Sequence, residues 1–267
     1  MSRISTTVAA SAKSQTIERA ALILTCFSAE EPRKTLADLA RQLDLNQSTA
    51  YRYIATLQAA GLLERDEQRG GYRLGPRVIE LSFIALNQIE VRKHALDEMD
   101  RLRDRLNVMV NLAILVEGDV LHIAHAVPAD WPRWYTAVGR RAVAHCTALG
   151  KTLLAHRPWD EVRATVERYG WRPYTSRSIQ DFDRLATELE TIREQGYSID
   201  SGERNQGTTC LAAPIRDHSG SVVAALSVTS KAERLTDAFR EESPPHVREA
   251  ADRIAFRLGY LGGTGYL

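Results

Sequence analysis

Cysteine is scarce in this chain: Cys26, Cys146 and Cys210 are the only three, and none sits in a C-x-x-C pair. An odd, widely spaced set fits neither a disulfide framework nor a zinc site, and suits thiols kept reduced in a cytoplasm. Long apolar runs are also missing. No stretch of 18 apolar residues occurs, so no membrane-spanning helix is expected. The first residues, MSRISTTVAASAKSQ, are small and polar and lack a signal-peptide core, so residues 1–13 read as a disordered arm. Strong charge of one sign is absent too. The 35 Lys+Arg and 34 Asp+Glu leave +1, with residues 1–76 holding 10 against 8 and the remainder 25 against 26. Non-specific attraction to nucleic acid is therefore moderate, and a reader built from this chain needs two copies to gather enough phosphate contacts. A length of 267 residues leaves room for a small module plus one domain of ordinary size.

What is present begins with residues 35–61, TLADLARQLDLNQSTAYRYIATLQAAG. Thr35 and Asp38 form a T-x-x-D start signal. Leu36, Leu39, Ala40 and Leu43 recur at helical spacing. Leu45-Asn46 makes the turn, Asn46 is the N-cap of a second helix, and Gly61 is the left-handed residue that ends it. On that second helix Ala50, Tyr53, Ile54 and Leu57 share one side and pack inward. Opposite lie Ser48, Arg52, Ala55 and Ala59, flanked by Gln47, Thr49 and Tyr51. Such a small, hydrogen-bonding face fits a DNA major groove, although a solvated face of an ordinary helical hairpin carries the same pattern.

The flanking segments favour the groove. Residues 62–65 and 71–75 read as a β-hairpin with a Gly-containing tip, carrying Arg65, Arg69 and Arg73 toward backbone phosphates. Residues 14–27 supply a third helix with Ile17, Ala20, Ala21, Leu24 and Phe27 as its stripe. The whole, 14–76, is a winged helix-turn-helix DNA-binding domain by order of elements. A linker helix follows within 77–91, centred on VIELSFIALN at 78–87. Residues 92–267 then alternate elements: helices at 92–106, 147–156, 159–169, 181–195 and from about Pro245 to 258, strands at 107–115, 120–127, 197–201, 210–216 and 222–229. That order implies an α+β domain with a mixed or antiparallel sheet.

Three segments carry a resemblance: the winged module with Ser48-Thr49 and Arg52, VGRRAVAHCTALGKTLLA at 138–155, and GYSIDSGERNQGTTCLAAPIRDHSGSVVAALSVTS at 196–230. In that order the chain resembles the IclR family of bacterial transcription regulators, from about Ser14 to the last helix. The resemblance implies two domains, the second a GAF-like domain that binds a small organic or aromatic acid and assembles homodimers or homotetramers. It implies a repressor or activator of a catabolic operon, reading a two-fold related operator in double-stranded DNA. Val143, where the family usually has proline, and Leu149, where it has smaller residues, depart from the pattern.

The resemblance carries effector contacts onto Ala148 and Leu149, and onto Asp200, Cys210 and Ser227. The residues make chemical sense of it. Thr147-Ala148-Leu149-Gly150 opens a helix whose free N–H groups favour a carboxylate. Asp200 can accept from a ligand hydroxyl, Ser227 can donate or accept, and Cys210 fits equally as a soft wall or as core filler. Trp131, Trp134 and Tyr135 either lid the cavity or pack against the sheet or another subunit.

Other motifs lead nowhere. Residues 145–152 nearly spell a phosphate-binding P-loop, but His145 stands where glycine is required. His122 and His125, three apart on a strand, should point to opposite faces and not share a metal. His145-Cys146 are neighbours in sequence, which is not the alignment a Cys–His nucleophile needs. No cofactor-binding, metal-binding or catalytic pattern emerges. The rival reading, a metabolite-converting enzyme with an appended DNA-binding module, lacks a nucleophile or base with an orienting partner.

Overall fold

A computed structural model of the chain describes residues 14–129, 131, 138–231 and 237–262. The chain divides into two compact units, Met1–Leu86 and Asn87–Leu267. Among the described residues no helix is long and apolar enough to cross a membrane.

The first unit packs α1 (Gln15–Thr25), α2 (Leu36–Gln42) and α3 (Gln47–Ala59) around Ile23, Leu39, Ile54 and Leu57. Thr35 caps α2 reciprocally: its hydroxyl accepts from the Asp38 N–H at 3.1 Å, and the Asp38 carboxylate accepts from the Thr35 N–H at 3.1 Å. Asn46 caps α3 by accepting from the Thr49 N–H at 2.8 Å, and Gly61 follows the helix at φ +72°. A two-stranded hairpin, β1 (Leu63–Arg65) and β2 (Tyr72–Leu74), pairs Leu63 with Leu74 and buries Leu63 and Tyr72 in the same core. A bridge between Tyr72 and Lys34 ties it to the approach to α2. α4 (Pro76–Asn87) comes next and buries none of its residues within the chain.

The stripe expected on α1 is displaced. Ile23, absent from it, is the fully buried residue, while Ile17 is 71% exposed and Ala21 is exposed. Ala20, Ile23, Leu24 and Phe27 are the residues with helical spacing that reach the core. Ala21 turns away from it.

The second unit is a six-stranded, wholly antiparallel sheet in the order β5-β4-β3-β8-β7-β6. Its strands are β3 (Met109–Val116), β4 (Asp119–Ala126), β5 (Arg141–Val143), β6 (Ser198–Ser201), β7 (Thr208–Arg216) and β8 (Val222–Lys231). β5 is a short edge strand that the sequence pattern does not reveal. Helices α5 (Glu90–Leu106) and α9 (Asp237–Arg257) lie together against β3, β4, β7 and β8. On the other face α6 (Ala148–Ala155) rests on the strands, backed by α8 (Phe182–Gln195), with α7 (Trp159–Tyr169) contributing Val162 and Val166 to that core.

Two expectations fail here. α9 begins at Asp237, not near Pro245, and carries Pro244 and Pro245 inside it. Proline inside a helix loses an N–H bond and crowds the carbonyl four residues back, so locally the pair reads as a helix start; the packing of α9 against α5 and β7 offsets that cost. In β4 an extra residue, Ile123, shifts the register, so that His122 pairs with Ala113 and His125 with Asn111. Ala113 and Asn111 are two apart on β3 and share a face, and their partners follow them. The bulge thus sets both histidines on one face, against the opposite-face expectation. His122 is buried and His125 is exposed.

Candidate functional site

The outward side of α3 presents Gln47, Ser48, Tyr51 and Arg52 as exposed residues, with Thr49 half-buried. The Ser48 hydroxyl donates to the Asn46 side chain at 2.8 Å, which leaves its oxygen free to accept. Among the described residues Arg52 forms no ion pair. In the hairpin, Asp66 is buried and holds the tip, accepting from the Arg69 N–H at 3.0 Å and meeting Arg33 at 2.8 Å. That leaves the exposed Arg69 guanidinium unpaired. Arg73, in contrast, is bound across the strands by Glu64 at 2.6 Å.

In the second unit a cavity of about 790 Å³ opens between the sheet and the start of α6. Its walls bring together Ala148, Leu149, Asp200, Cys210 and Ser227 from the residues singled out by sequence. Gly150 is not on the wall. Its N–H is taken by the Thr147 hydroxyl at 3.2 Å, and a Cβ there would lie 2.2 Å from the Ala144 carbonyl oxygen. Gly150 therefore lets α6 approach the 3₁₀ turn Ala144–Cys146. Trp134 and Tyr135 lie outside the described residues; Trp131 is buried.

The amides of Ala148 and Leu149 precede the cap-bonded Gly150 and make no bond among the described residues. They are two free donors at a helix start that faces a cavity. Sequence reasoning did not find the cationic and aromatic part of the wall: His122, Arg140, Arg204 and Tyr174. Arg204 lies over the Tyr174 ring at 3.6 Å from its centroid. The Arg204 N–H donates to Asp200 at 3.3 Å, and the Glu203 N–H does so at 2.7 Å. Under this loop, buried Lys151 donates to Glu188 at 2.6 Å, to the Ile199 carbonyl at 2.7 Å and to Glu203 at 2.5 Å. With its donors spent, Lys151 is no phosphate-binding lysine.

Burial sets the protonation states. It raises the Asp200 carboxyl to about 6 in spite of the two N–H bonds that favour its charge. It lowers His122 to about 4, helped by Arg140 and Arg204, so the imidazole is neutral near pH 7. Burial pushes the Cys210 and Cys146 thiols up to about 12. Neither is a thiolate, and His145 accepts from the Arg172 N–H at 3.3 Å and makes no bond to Cys146. No activated nucleophile results. Among the described residues no group of three or more His, Cys, Asp or Glu is placed to hold a metal ion. The arrangement is that of a half-open, partly cationic binding site.

Both units match known proteins. Residues 16–67 match the IclR helix-turn-helix domain and residues 83–256 the bacterial transcriptional regulator IclR C-terminal domain. The HTH-type transcriptional regulator XynR of Escherichia coli (strain K12) is 30% identical over 246 residues, covering 92% of this chain and 98% of its own. Among solved structures, the Thermotoga maritima IclR superposes with a TM-score of 0.74 at 27% identity, over 92% of this chain and 99% of that one. An IclR homologue from Microbacterium hydrocarbonoxydans, solved in complex with 4-hydroxybenzoate, has a TM-score of 0.80 at 29% identity, over 91% and 98%. Regulators, not enzymes, are what this chain is similar to, which removes the metabolite-converting alternative. The chain belongs to the IclR family of bacterial transcriptional regulators.

Proposed function

We propose that the protein is a cytoplasmic regulator that grips a two-fold related operator as a homodimer or homotetramer and responds to a small organic acid. Residues 14–76 read the DNA, 77–91 link, and 92–267 sense the effector. Gln47, Ser48, Thr49, Tyr51 and Arg52 face the major groove, and Arg69 and Arg73 reach flanking phosphates. Exposed Ile17 and Leu22 on α1, and Ile79, Phe83 and Ile84 on α4, support pairing of two copies through this unit, because a monomer gains nothing by leaving them in water.

The observation that carries the sensing role is the cavity: two unused amides at the start of α6 with Arg140 and Arg204 on the same walls. The amides and guanidiniums supply donors for a carboxylate, while Asp200 and Ser227 address a hydroxyl elsewhere on the ligand. That the Microbacterium homologue is complexed with 4-hydroxybenzoate favours the same class here. Ala148, Leu149 and Cys210 give the apolar wall, and Gly150 supports it from behind. Effector binding alters operator affinity only through unequal affinity for two arrangements of the paired recognition helices.

The test uses the full-length protein on promoter fragments bordering its own gene. Band shifts should show a protected, two-fold related site, and 4-hydroxybenzoate or another organic acid should change that affinity. Failure to bind any such fragment, together with chemical conversion of the acid, would overturn the proposal.

A further inference from the structure

α6 ends at a second concavity. Beyond Ala155, a groove of about 620 Å³ is lined by His156, Arg157, Trp159, Arg193, Arg216 and Ser221, among other residues, and by no carboxylate. Elsewhere in the second unit arginines meet acids: Arg172 meets Asp119 at 2.5 Å, and Arg253 and Arg257 meet Glu98 at 2.8 Å. The groove arginines do not. Arg193 donates to the Ala155 carbonyl at 3.0 Å and Arg216 to the Gly220 carbonyl at 2.9 Å. Among the described residues the exposed Arg157 side chain has no hydrogen bond and no ion pair.

Those backbone contacts fix two guanidiniums in place and leave most of their five N–H donors unspent. The contact of Arg193 also covers a carbonyl at the negative end of α6, which would otherwise repel an anion. His156 faces Arg216 at 3.5 Å through Nδ1, and its Nε2 is buried without a partner. Ser219 gives its hydroxyl proton to the Asp217 carboxylate at 2.6 Å, so the Ser221 hydroxyl, 2.9 Å from Ser219, donates to Ser219 and adds no free donor to the groove. Burial, then the charges of Arg216 and Arg193, push the His156 imidazole down to about 4. Asp252 on α9 is near enough to feel the charge of Arg216 but forms no ion pair with it.

We propose that this groove binds a phosphate group, either as free inorganic phosphate or as the phosphoryl end of a small metabolite. Three guanidiniums supply more donors than one carboxylate can accept, whereas a dianionic tetrahedral group has oxygens for all of them. The volume exceeds that of one oxyanion and leaves space for an attached sugar or polyol. Because α6 begins at the effector cavity and ends here, the phosphate group occupies the far end of the same helix.

Trp159 in the groove wall makes the test direct. Full-length protein without DNA is titrated with inorganic phosphate, ribose 5-phosphate and malonate, each against sodium chloride at matched ionic strength. Tryptophan emission should change saturably below about 5 mM for at least one phosphate. Trp159→Phe should abolish the signal. Arg193→Gln combined with Arg216→Gln should weaken binding by roughly tenfold or more. Arg157→Gln, which removes no intramolecular bond, should weaken it about threefold and leave operator binding intact. Ribose 5-phosphate saturating tenfold below inorganic phosphate identifies a metabolite; equal saturation identifies the free ion. A linear response matching chloride, a stronger response to malonate, or binding unchanged in both sets of variants would overturn the proposal.

Discussion

α3 and α6 start with the same chemistry in opposite surroundings. In each, a polar residue in extended conformation precedes the first turn and accepts the third amide: Asn46 from Thr49 at 2.8 Å, Thr147 from Gly150 at 3.2 Å. In each, the two amides before it make no bond among the described residues. Yet α3 buries only Ala50, Ile54 and Leu57, whereas all eight residues of α6 are buried. A capped helix start open to solvent can meet a macromolecule. The same start closed inside a domain serves only what enters the cavity. Capping chemistry does not decide between these fates. The rest of each helix does, through a narrow apolar stripe in one case and, in the other, a circumference buried all round with the polar groups of Lys151 and Thr152 bonded inside.

The third helical position tests that difference hardest. Gly150→Ala would place a Cβ 2.2 Å from the Ala144 carbonyl oxygen, a backbone atom with no room to retreat. A loss of about 3 kcal/mol is expected, at the upper end of overpacking costs. Thr49→Ala, at the matching position of α3, should cost under about 0.5 kcal/mol. All four tryptophans lie in the second unit, so urea denaturation followed by their emission reports that unit alone. A wild-type midpoint for Gly150→Ala would show that α6 does not need its close approach.

At the closed end burial raises the carboxyl of Asp200 above its ordinary range. Asp200 titrates near 6 in the folded chain against an ordinary 3.8, so the folded state holds its proton more tightly. Its contribution to stability is therefore highest below about pH 4 and declines as pH rises toward 6. His122 and His156, lowered to about 4, act in the opposite sense, losing stability as pH falls. Comparing wild type with Asp200→Asn cancels those histidine contributions, because the amide oxygen still accepts from Glu203 and Arg204. Between pH 4 and 7 the wild type should lose about 2 kcal/mol relative to the variant. A difference independent of pH would mean that the carboxylate is not desolvated in solution.

The open end is probed through Arg52. Arg52→Ala should lower operator affinity roughly 10- to 100-fold without changing the melting temperature. A band shift identical to wild type would move the reading face elsewhere on α3.

These two helix starts also mark how far the sequence is legible. T-x-x-D, the Asn46 cap and Gly61 are local signals, and the structure realises each in place. Ala148, Leu149, Asp200, Cys210 and Ser227 were grouped by family likeness, and they share one cavity wall. What stayed hidden depends on contacts distant in sequence. His122 reads as half of an improbable metal pair; only the folded sheet sets it on the cavity wall, on the same face of β4 as Val120. Arg204 and Tyr174, thirty residues apart, acquire meaning only by stacking. β5, three residues long, has no periodicity to read.

The smallest effect lies in the wing and separates two arginines that the sequence treats alike. A free guanidinium such as that of Arg69 can meet a phosphate at no internal loss, so Arg69→Ala should lower the salt-dependence slope of operator binding by about one. Arg73 must first leave Glu64, which holds it at 2.6 Å. Both partners are partly exposed, so that pair is worth under about 1 kcal/mol, and Arg73→Ala should lower the slope by less than one. Glu64→Gln frees Arg73 and removes a negative charge from the DNA side. It should therefore tighten operator binding by about twofold to fivefold at low salt, with the gain fading as salt rises. Measuring affinity against salt for the three variants decides the matter. Equal slopes for Arg69→Ala and Arg73→Ala would mean that the Glu64 pair opens on DNA, making the wing's charge a property of the complex and not of the free protein.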